Sequence, residues 1–382
     1  MVKVTRRREG KRIKRPGKVR YFDYGFLGMV FVLLAFGLVM LYSSSAYFAA
    51  SHYGSPTYFL KRQMIMAAIG LVAMAVMAYL PYQLMMKCDK TIFLVTFFLC
   101  CVVLVVGHEA NGQARWIPIG GIRFQPSELA KPAVAVAIAS WITKKRDKLF
   151  RLEHMGIGLL TTVVMAVPIL LNNLSTAVIV GGIGIAMMFV ATKRKFELAG
   201  ITGALGALAL LLTKFKGGYR SSRIANWLHP ERASDDEGYQ VLQGLYAIGS
   251  GGPFGKGLGS SVQKLGKIPE VQNDMIFTVI VEELGIFGAV CVVIMFLILL
   301  WRMMFIAVHA RDMFGSFLVI GIMVHVSLQV ILNIAVASNT IPNTGVTLPF
   351  ISYGGTSLII LLAEMGIVLS VSRQIPLDQS EL

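Results

Sequence analysis

The sequence predicts an all-α polytopic membrane protein of about ten transmembrane helices, with N- and C-termini cytoplasmic and a large extracytoplasmic loop between helices 7 and 8. Three observations predict it. The 382-residue chain is 55% hydrophobic and only 15% charged, whereas soluble domains carry far more charge. Several uncharged runs reach roughly 20 residues, the length that crosses a bilayer. Basic residues gather in alternate connections, as the positive-inside rule requires.

The apolar runs place spans at 24–46, 62–80, 91–107, 127–142, 155–171, 174–191, 196–213, 275–300, 314–336 and 352–370. A polar loop separates the third from the fourth at 108–124, and a long one separates the seventh from the eighth at 214–273. With the N-terminus inside, cytoplasmic segments collect Lys87, Lys90, the 144–151 cluster, Lys193-Arg194-Lys195, Arg302, Arg311 and Arg373. Short external loops hold chiefly Lys61, Arg62, Arg115 and Arg123. The expected organisation is a basic cytoplasmic tail (1–22), one transmembrane domain (23–373, including loop 214–273) and a cytoplasmic C-terminal tail (374–382).

Net charge is +16, and ten of the first twenty residues are Lys or Arg. No recognition-helix or aromatic pattern accompanies them, so the tail reads as a topology signal attracted to anionic lipid, and no nucleic-acid partner is expected. Its length and charge also argue against a removed signal peptide. Four cysteines and six scattered histidines show no metal-ligand spacing, and no metal site is expected. No phosphate-binding Gly-x-x-x-x-Gly-Lys-Ser/Thr motif is present, which argues against an ATP-driven pump.

Asp274 lies where the long polar loop meets the apolar run 275–281. An acid at such a junction can be tuned and can meet a polar head group; alternatively, Asn273 or Asp274 caps the next helix. Glu128 and Lys131 are three apart at the outer end of the fourth span, so they share a helix face and can pair. Such groups are expensive in a membrane unless paired or facing a wet cavity, and Ser127 is placed to cap that helix. Arg115-Trp116 upstream suits an interfacial anchor. Asn172, Asn173, Ser175 and Thr176 read as a tight external turn. His325, Gln329 and Asn333 form one stripe of the ninth span, suited to interhelical hydrogen bonds or to lining a cavity. The 339–357 stretch, rich in Pro, Gly and hydroxyls, cannot form an ordinary span and belongs where backbone is buried or lines a cavity. Glu364, deep in the tenth span, needs a partner. The Gly-rich run 249–259 reads as a flexible loop whose Lys256, Ser260 and Ser261 can meet a pyrophosphate.

Together these stretches resemble the SEDS (shape, elongation, division, sporulation) family, the FtsW/RodA/SpoVE-like peptidoglycan glycosyltransferases, with detail closer to the FtsW/SpoVE branch. The resemblance is carried by Gly37-Leu38-Val39-Met40-Leu41-Tyr42-Ser43-Ser44-Ser45, Lys61-Arg62-Gln63, Arg115-Trp116, and the stretches 124–131, 239–259, 269–285 and 341–357. It implies an enzyme of the bacterial cytoplasmic membrane. Such an enzyme polymerises lipid II at the outer face during cell division, sporulation or cell-shape morphogenesis, releasing undecaprenyl diphosphate. It also implies a class B penicillin-binding protein as transpeptidase partner, among other divisome or elongasome membrane proteins. The family's essential acid falls on Asp274, and its acid–base pair on Glu128 and Lys131, with Arg115 upstream. Many members carry an acid near the sixth span where this chain reads Leu171-Asn172-Asn173-Leu174-Ser175-Thr176, which puts any role of that acid in doubt here.

A scheme that fits makes Asp274 the general base for the acceptor 4-hydroxyl, with Arg115 and Lys131 on the pyrophosphate and Glu128 orienting Lys131. Arg220, Arg223 and Lys256 would hold the second lipid or the growing strand, and Ser352 is a further substrate-binding candidate. No cofactor is required by the sequence; a divalent cation (Mg or Mn) can bridge pyrophosphate and carboxylate. The rival readings are a lipid II flippase, kept open by Glu364 and the ninth-span stripe, and a noncatalytic scaffold for the transpeptidase.

Overall fold

The computed structural model describes residues 21–106, 108–110, 113–119, 122–148, 152–214, 227–232, 236–265, 268 and 270–376. The basic tail 1–20, Arg220, Arg223 and the last six residues lie outside the described residues.

The chain is helical almost throughout. Asp23 starts α1 (Tyr24–Tyr53) by accepting the Phe26 amide at 2.8 Å, and Gly54 ends it with a left-handed φ of 69°. Then come α2 (Tyr58–Tyr79), the short α3 (Gln83–Lys87) and α4 (Asp89–Val106). Pro126 sits in the first turn of α5 (Pro126–Lys144), where its missing N–H is harmless. Asn173 both ends α6 (Leu152–Asn172) and caps α7 (Leu174–Ala191) by accepting the Thr176 amide at 3.1 Å, which makes the expected tight turn. The chain continues through α8 (Lys195–Lys214), α9 (Asp236–Gly251), α10 (Ile276–Val308), α11 (Met313–Ala337) and α12 (Gly355–Ser372).

Each expected apolar run falls on one of these helices. Seven of them, α1, α2, α6, α7, α10, α11 and α12, are long and apolar enough to cross a membrane. Helices α5, α7, α10 and α11 pack side by side, α12 lies along α2, and α1 bridges α2 and α10. Large apolar residues of α10 such as Phe287, Leu297 and Trp301 stay exposed, as lipid-facing positions do.

Four local expectations are corrected. The 108–124 segment is a small antiparallel sheet rather than a loop: β1 (His108–Ala110) pairs with β2 (Gln113–Ile119), and β2 with β3 (Ile122–Phe124). The long 214–273 loop contains α9, whose Gly251 approaches α10 so closely that a Cβ there would lie 2.1 Å from the Val281 carbonyl oxygen. The N-cap of α10 is Met275, just beyond the expected Asn273 or Asp274; Asn273 instead donates to Glu270. The N-cap of α5 is Gln125, which leaves Ser127 inside the helix accepting from the Gln125 amide.

The run 249–259 is also built differently from a free loop. Gly285 breaks α10 with φ 70° and ψ −169°, separating two helical halves that would each leave unpaired backbone groups. The glycine turn supplies the partners. The amides of Lys256 and Gly257 donate to the carbonyls of Glu282 and Glu283 at 2.9 and 3.0 Å, and the amides of Ile286 and Phe287 donate to the carbonyls of Gly252 and Pro253, both at 3.0 Å. A Cβ on Gly285 would lie 2.4 Å from the Gly255 nitrogen, so the two backbones can meet only because both residues are glycine.

At the opposite end of the bundle, Arg302 donates to Asp23 at 2.7 Å, and the Asp23 amide donates to Ser372 at 3.0 Å, tying α10, α1 and α12 together. Tyr82 donates to Asp312, the N-cap of α11, at 2.8 Å. Burial first, and this carboxylate second, push the Tyr82 phenol up from its ordinary value.

Candidate functional site

The polar stripe of α11 organises the end of the bundle that carries α9 and the sheet. Its three residues are buried, and each makes bonds to another element. Gln329 accepts from Lys131 Nζ at 3.2 Å through Oε1 and donates to the Thr347 carbonyl at 3.0 Å. Asn333, one turn on, donates from Nδ2 to the Asp274 carbonyl at 2.7 Å and to the Val346 carbonyl at 2.8 Å. A turn of helix rises roughly 5 Å, so α11 holds the anchor points of Lys131 and Asp274 about that far apart on one wall.

Glu128 and Lys131 form the expected pair at 2.9 Å, with Ser357 of α12 donating to Glu128 Oε2 at 2.7 Å. Both side chains are largely withdrawn from solvent, at 10% and 2% exposure. Pairing is what makes two charges tolerable there. Asp274 is half-buried, and its Oδ2 lies beside Gly345, whose left-handed φ of 65° bends segment 343–347 over it. The Asn343 amide fastens this segment to Gln240 of α9 at 3.3 Å, and Trp227 Nε1 donates to the Asn339 carbonyl at 2.9 Å.

The 339–354 stretch is non-helical backbone, as its composition required. Its polar groups are met by neighbours. Gln63 of α2 donates to the Ser352 carbonyl at 3.2 Å and accepts the Gly354 amide at 3.3 Å, and the Tyr353 amide donates to the Gln272 carbonyl at 2.8 Å. Ser352 is buried, and its Oγ accepts the Leu348 amide at 2.8 Å, closing its own turn. Gly37 of α1 lets the turn close in, since a Cβ there would lie 2.3 Å from the Phe350 carbonyl oxygen.

The remaining sequence-derived candidates are spread around this centre. Arg115 lies on β2, and its side chain lies outside the described ones. Arg220 and Arg223 lie outside the described residues. Lys256 is one-third exposed and pairs with Glu282 at 2.7 Å. Glu282 also accepts from Ser261 and from the Val262 amide.

Two buried clusters were missed by sequence reasoning. Lys264 pairs with Glu283 at 2.6 Å, and Ser43 of α1 donates to Glu283 at 2.7 Å, all three buried. The sequence signal was there: two acids at the end of an apolar run need partners. The second cluster joins His325 Nδ1 to Glu364 Oε2 at 2.8 Å and His325 Nε2 to Gln329 Oε1 at 2.8 Å, which supplies the partner that Glu364 required. Among the described residues, no group of three or more His, Cys, Asp or Glu could hold a metal ion.

The likenesses to known proteins follow the same lines. A probable peptidoglycan glycosyltransferase FtsW of Geobacter sp. (strain M18) is 39% identical over 363 residues, 94% of this chain and 98% of the relative. The stage V sporulation protein E of Bacillus subtilis (strain 168) is 38% identical over 90% of this chain and 94% of its own length. Among solved structures, a chain from a peptidoglycan synthase complex that coordinates polymerization and crosslinking superposes with a TM-score of 0.78 at 27% identity, covering 94% of this chain and 99% of that one. The rod shape determining protein RodA of Thermus thermophilus superposes with a TM-score of 0.70 at 27% identity, covering 94% and 98%. The model of the FtsW/RodA/SpoVE cell cycle proteins matches residues 25–376, so this chain, a multi-pass membrane protein, belongs to that family.

Proposed function

We propose that the chain is a peptidoglycan glycosyltransferase that polymerises lipid II at the outer face of the cytoplasmic membrane. Asp274 serves as general base for the incoming sugar hydroxyl. The observation that carries this reading is the shared wall of α11, where Asn333 holds the Asp274 backbone one turn from Gln329 and its Lys131. A base for the nucleophile and a cation for the leaving pyrophosphate are the two groups that such a displacement needs.

Lys131 donates to Glu128 and Gln329, which uses two of its three N–H donors and leaves one for a pyrophosphate oxygen. Where Glu128 yields as well, Ser357 remains to bind it. Arg115 would share the pyrophosphate, while Arg220, Arg223 and Lys256 would hold the second lipid or the strand; Ser352 acts through the turn it closes. Were a divalent cation (Mg or Mn) used, Asp274 is the carboxylate that would help to hold it, and it would supply positive charge for the leaving pyrophosphate.

Ten helices of 18 residues or more among the described residues support ten spans with both termini cytoplasmic. The start of α1 at Tyr24 supports a boundary between a tail (1–22) and a transmembrane domain (23–373), followed by a short tail (374–382). A class B penicillin-binding protein would supply crosslinking, alongside other divisome or elongasome proteins. The transport reading rested on Glu364 and the ninth-span stripe, which here bind one another through His325.

The test is polymerisation of purified lipid II by the detergent-solubilised protein, with and without a competent class B partner. Glycan strands are expected from the wild type and none from Asp274→Ala. Strands from both remove Asp274 from catalysis, and strands from neither move the assignment to lipid transport or scaffolding.

A further inference from the structure

Glu364 is the single acid of α12, 1% exposed, and its Oε1 has no hydrogen-bond partner among the described residues. A buried ionic pair gives little stability over an apolar one of similar volume, so stability alone does not account for an acid here. Its one partner, His325, leads directly to the candidate site.

The hydrogen-bond directions along this path are fixed by chemistry. Gln329 Nε2 donates to the carbonyl and the hydroxyl of Thr347, at 3.0 and 3.3 Å, which orients the amide. Its Oε1 therefore faces Lys131 Nζ and His325 Nε2, and it can only accept. His325 Nε2 must then carry a hydrogen. The other ring nitrogen, Nδ1, lies 2.8 Å from Glu364 Oε2. Without a proton between them, two lone pairs would face each other where no water competes, at 3% and 2% side-chain exposure. The contact exists only if one proton is held there, either as imidazolium with carboxylate or as neutral imidazole with carboxylic acid. Both arrangements carry no net charge.

We propose that His325 and Glu364 are positioning residues for Lys131: the proton shared between Nδ1 and Oε2 fixes the imidazole, the imidazole Nε2–H fixes Gln329, and Gln329 holds the ammonium in the site. The proposal rests on the glycosyltransferase reading only for its effect on rate. The charged groups around the pair are few. Helix α5 presents Glu128 and Lys131, and α7 contains no ionisable residue. The charged side chains of α10, Glu282, Glu283 and Arg302, are held by Lys256, Lys264 and Asp23. Removing the carboxylate frees the ring to turn, and Gln329 then loses the donor that fixes it beside Lys131.

Two measurements on the full chain test this. The first is solid-state nitrogen NMR of the histidine-labelled protein in lipid bilayers, with His325→Gln to assign the signal. The expected result is a protonated Nε2 and an Nδ1 engaged in a strong hydrogen bond; a bare Nε2 overturns the proposal. The second is the kcat and KM of lipid II polymerisation for Glu364→Gln and Glu364→Leu. A glutamine amide can donate to Nδ1 and keep the ring orientation. Glu364→Gln should therefore stay within about threefold of the wild-type kcat, and Glu364→Leu should lose about tenfold or more in kcat with KM within about threefold. A Glu364→Leu protein with wild-type kcat, or a folded Glu364→Gln protein as impaired as Glu364→Leu, overturns the proposal. If the wild type makes no strands, the glycosyltransferase reading fails, while the NMR result still decides the tautomer and with it the proposal.

Discussion

Asn333 holds Asp274 by its backbone carbonyl, at 2.7 Å, and leaves the carboxylate to the surroundings of Gly345. Anchoring and chemistry are thereby separated on one residue. Removing the Asp274 side chain should leave the Asn333 bond in place. Asp274→Ala and Asp274→Asn should therefore keep a cooperative melting transition. Polymerisation should fall by at least about 100-fold, the range for loss of a general base. Thermal melting in detergent and gel analysis of strands check the two halves separately.

Asn333→Ala should do the reverse in part. Asn333 is fully buried and serves two carbonyls, those of Asp274 and Val346. Leaving buried carbonyls unmet costs about 1–3 kcal/mol. The variant should melt lower and polymerise more slowly, because the segment that carries the base is no longer held to α11. Added small amides should not restore either property.

Lys264 and Glu283 predict a large asymmetry between single and double substitution. Lys264→Ala leaves Glu283, which is 0% exposed, with only Ser43 for company. Breaking one side of a buried pair costs about 3–5 kcal/mol. The double variant Lys264→Met with Glu283→Leu removes both charges, and most of that loss should be recovered. Chemical or thermal unfolding of the three proteins gives the comparison.

Tyr82 gives a prediction in pH. Its phenol is pushed up by burial and by Asp312, so the folded protein holds this proton more tightly than the unfolded chain does. The contribution is fully present below the unfolded value of about 10 and is lost as pH rises through the folded one. The difference in melting temperature between the wild type and Tyr82→Phe should be constant up to about pH 9, and above pH 10 the wild type should fall more steeply than Tyr82→Phe. Below that range Tyr82→Phe should be about 1–2 kcal/mol less stable, for the lost bond to a charged acceptor.

Much of this was legible in the sequence for simple reasons. Long apolar runs announce helices, and Glu128 and Lys131 announce a pair because three residues of helix bring them together. The broken backbone of 339–354 followed from its prolines and glycines. What escaped were relationships across distance. Glu364 and His325 are 39 residues apart, and no local pattern joins them. The sheet β1–β3 escaped because its strands are short and interrupted by Pro118 and glycines. The helix α9 escaped because the residues around it are polar. The turn 252–257 looked loose by composition, yet its glycines are there to let two backbones touch.

That touching point also sets a length. Below Gly285, residues 286–301 of α10 rise roughly 24 Å before the charge of Arg302, short of a hydrocarbon thickness of about 30 Å. The 276–284 half, roughly 13 Å long, therefore completes the crossing, and the break at Gly285 falls inside it. Oil offers no partner to freed backbone groups, so the turn 252–257 has to reach down to the break and supply them.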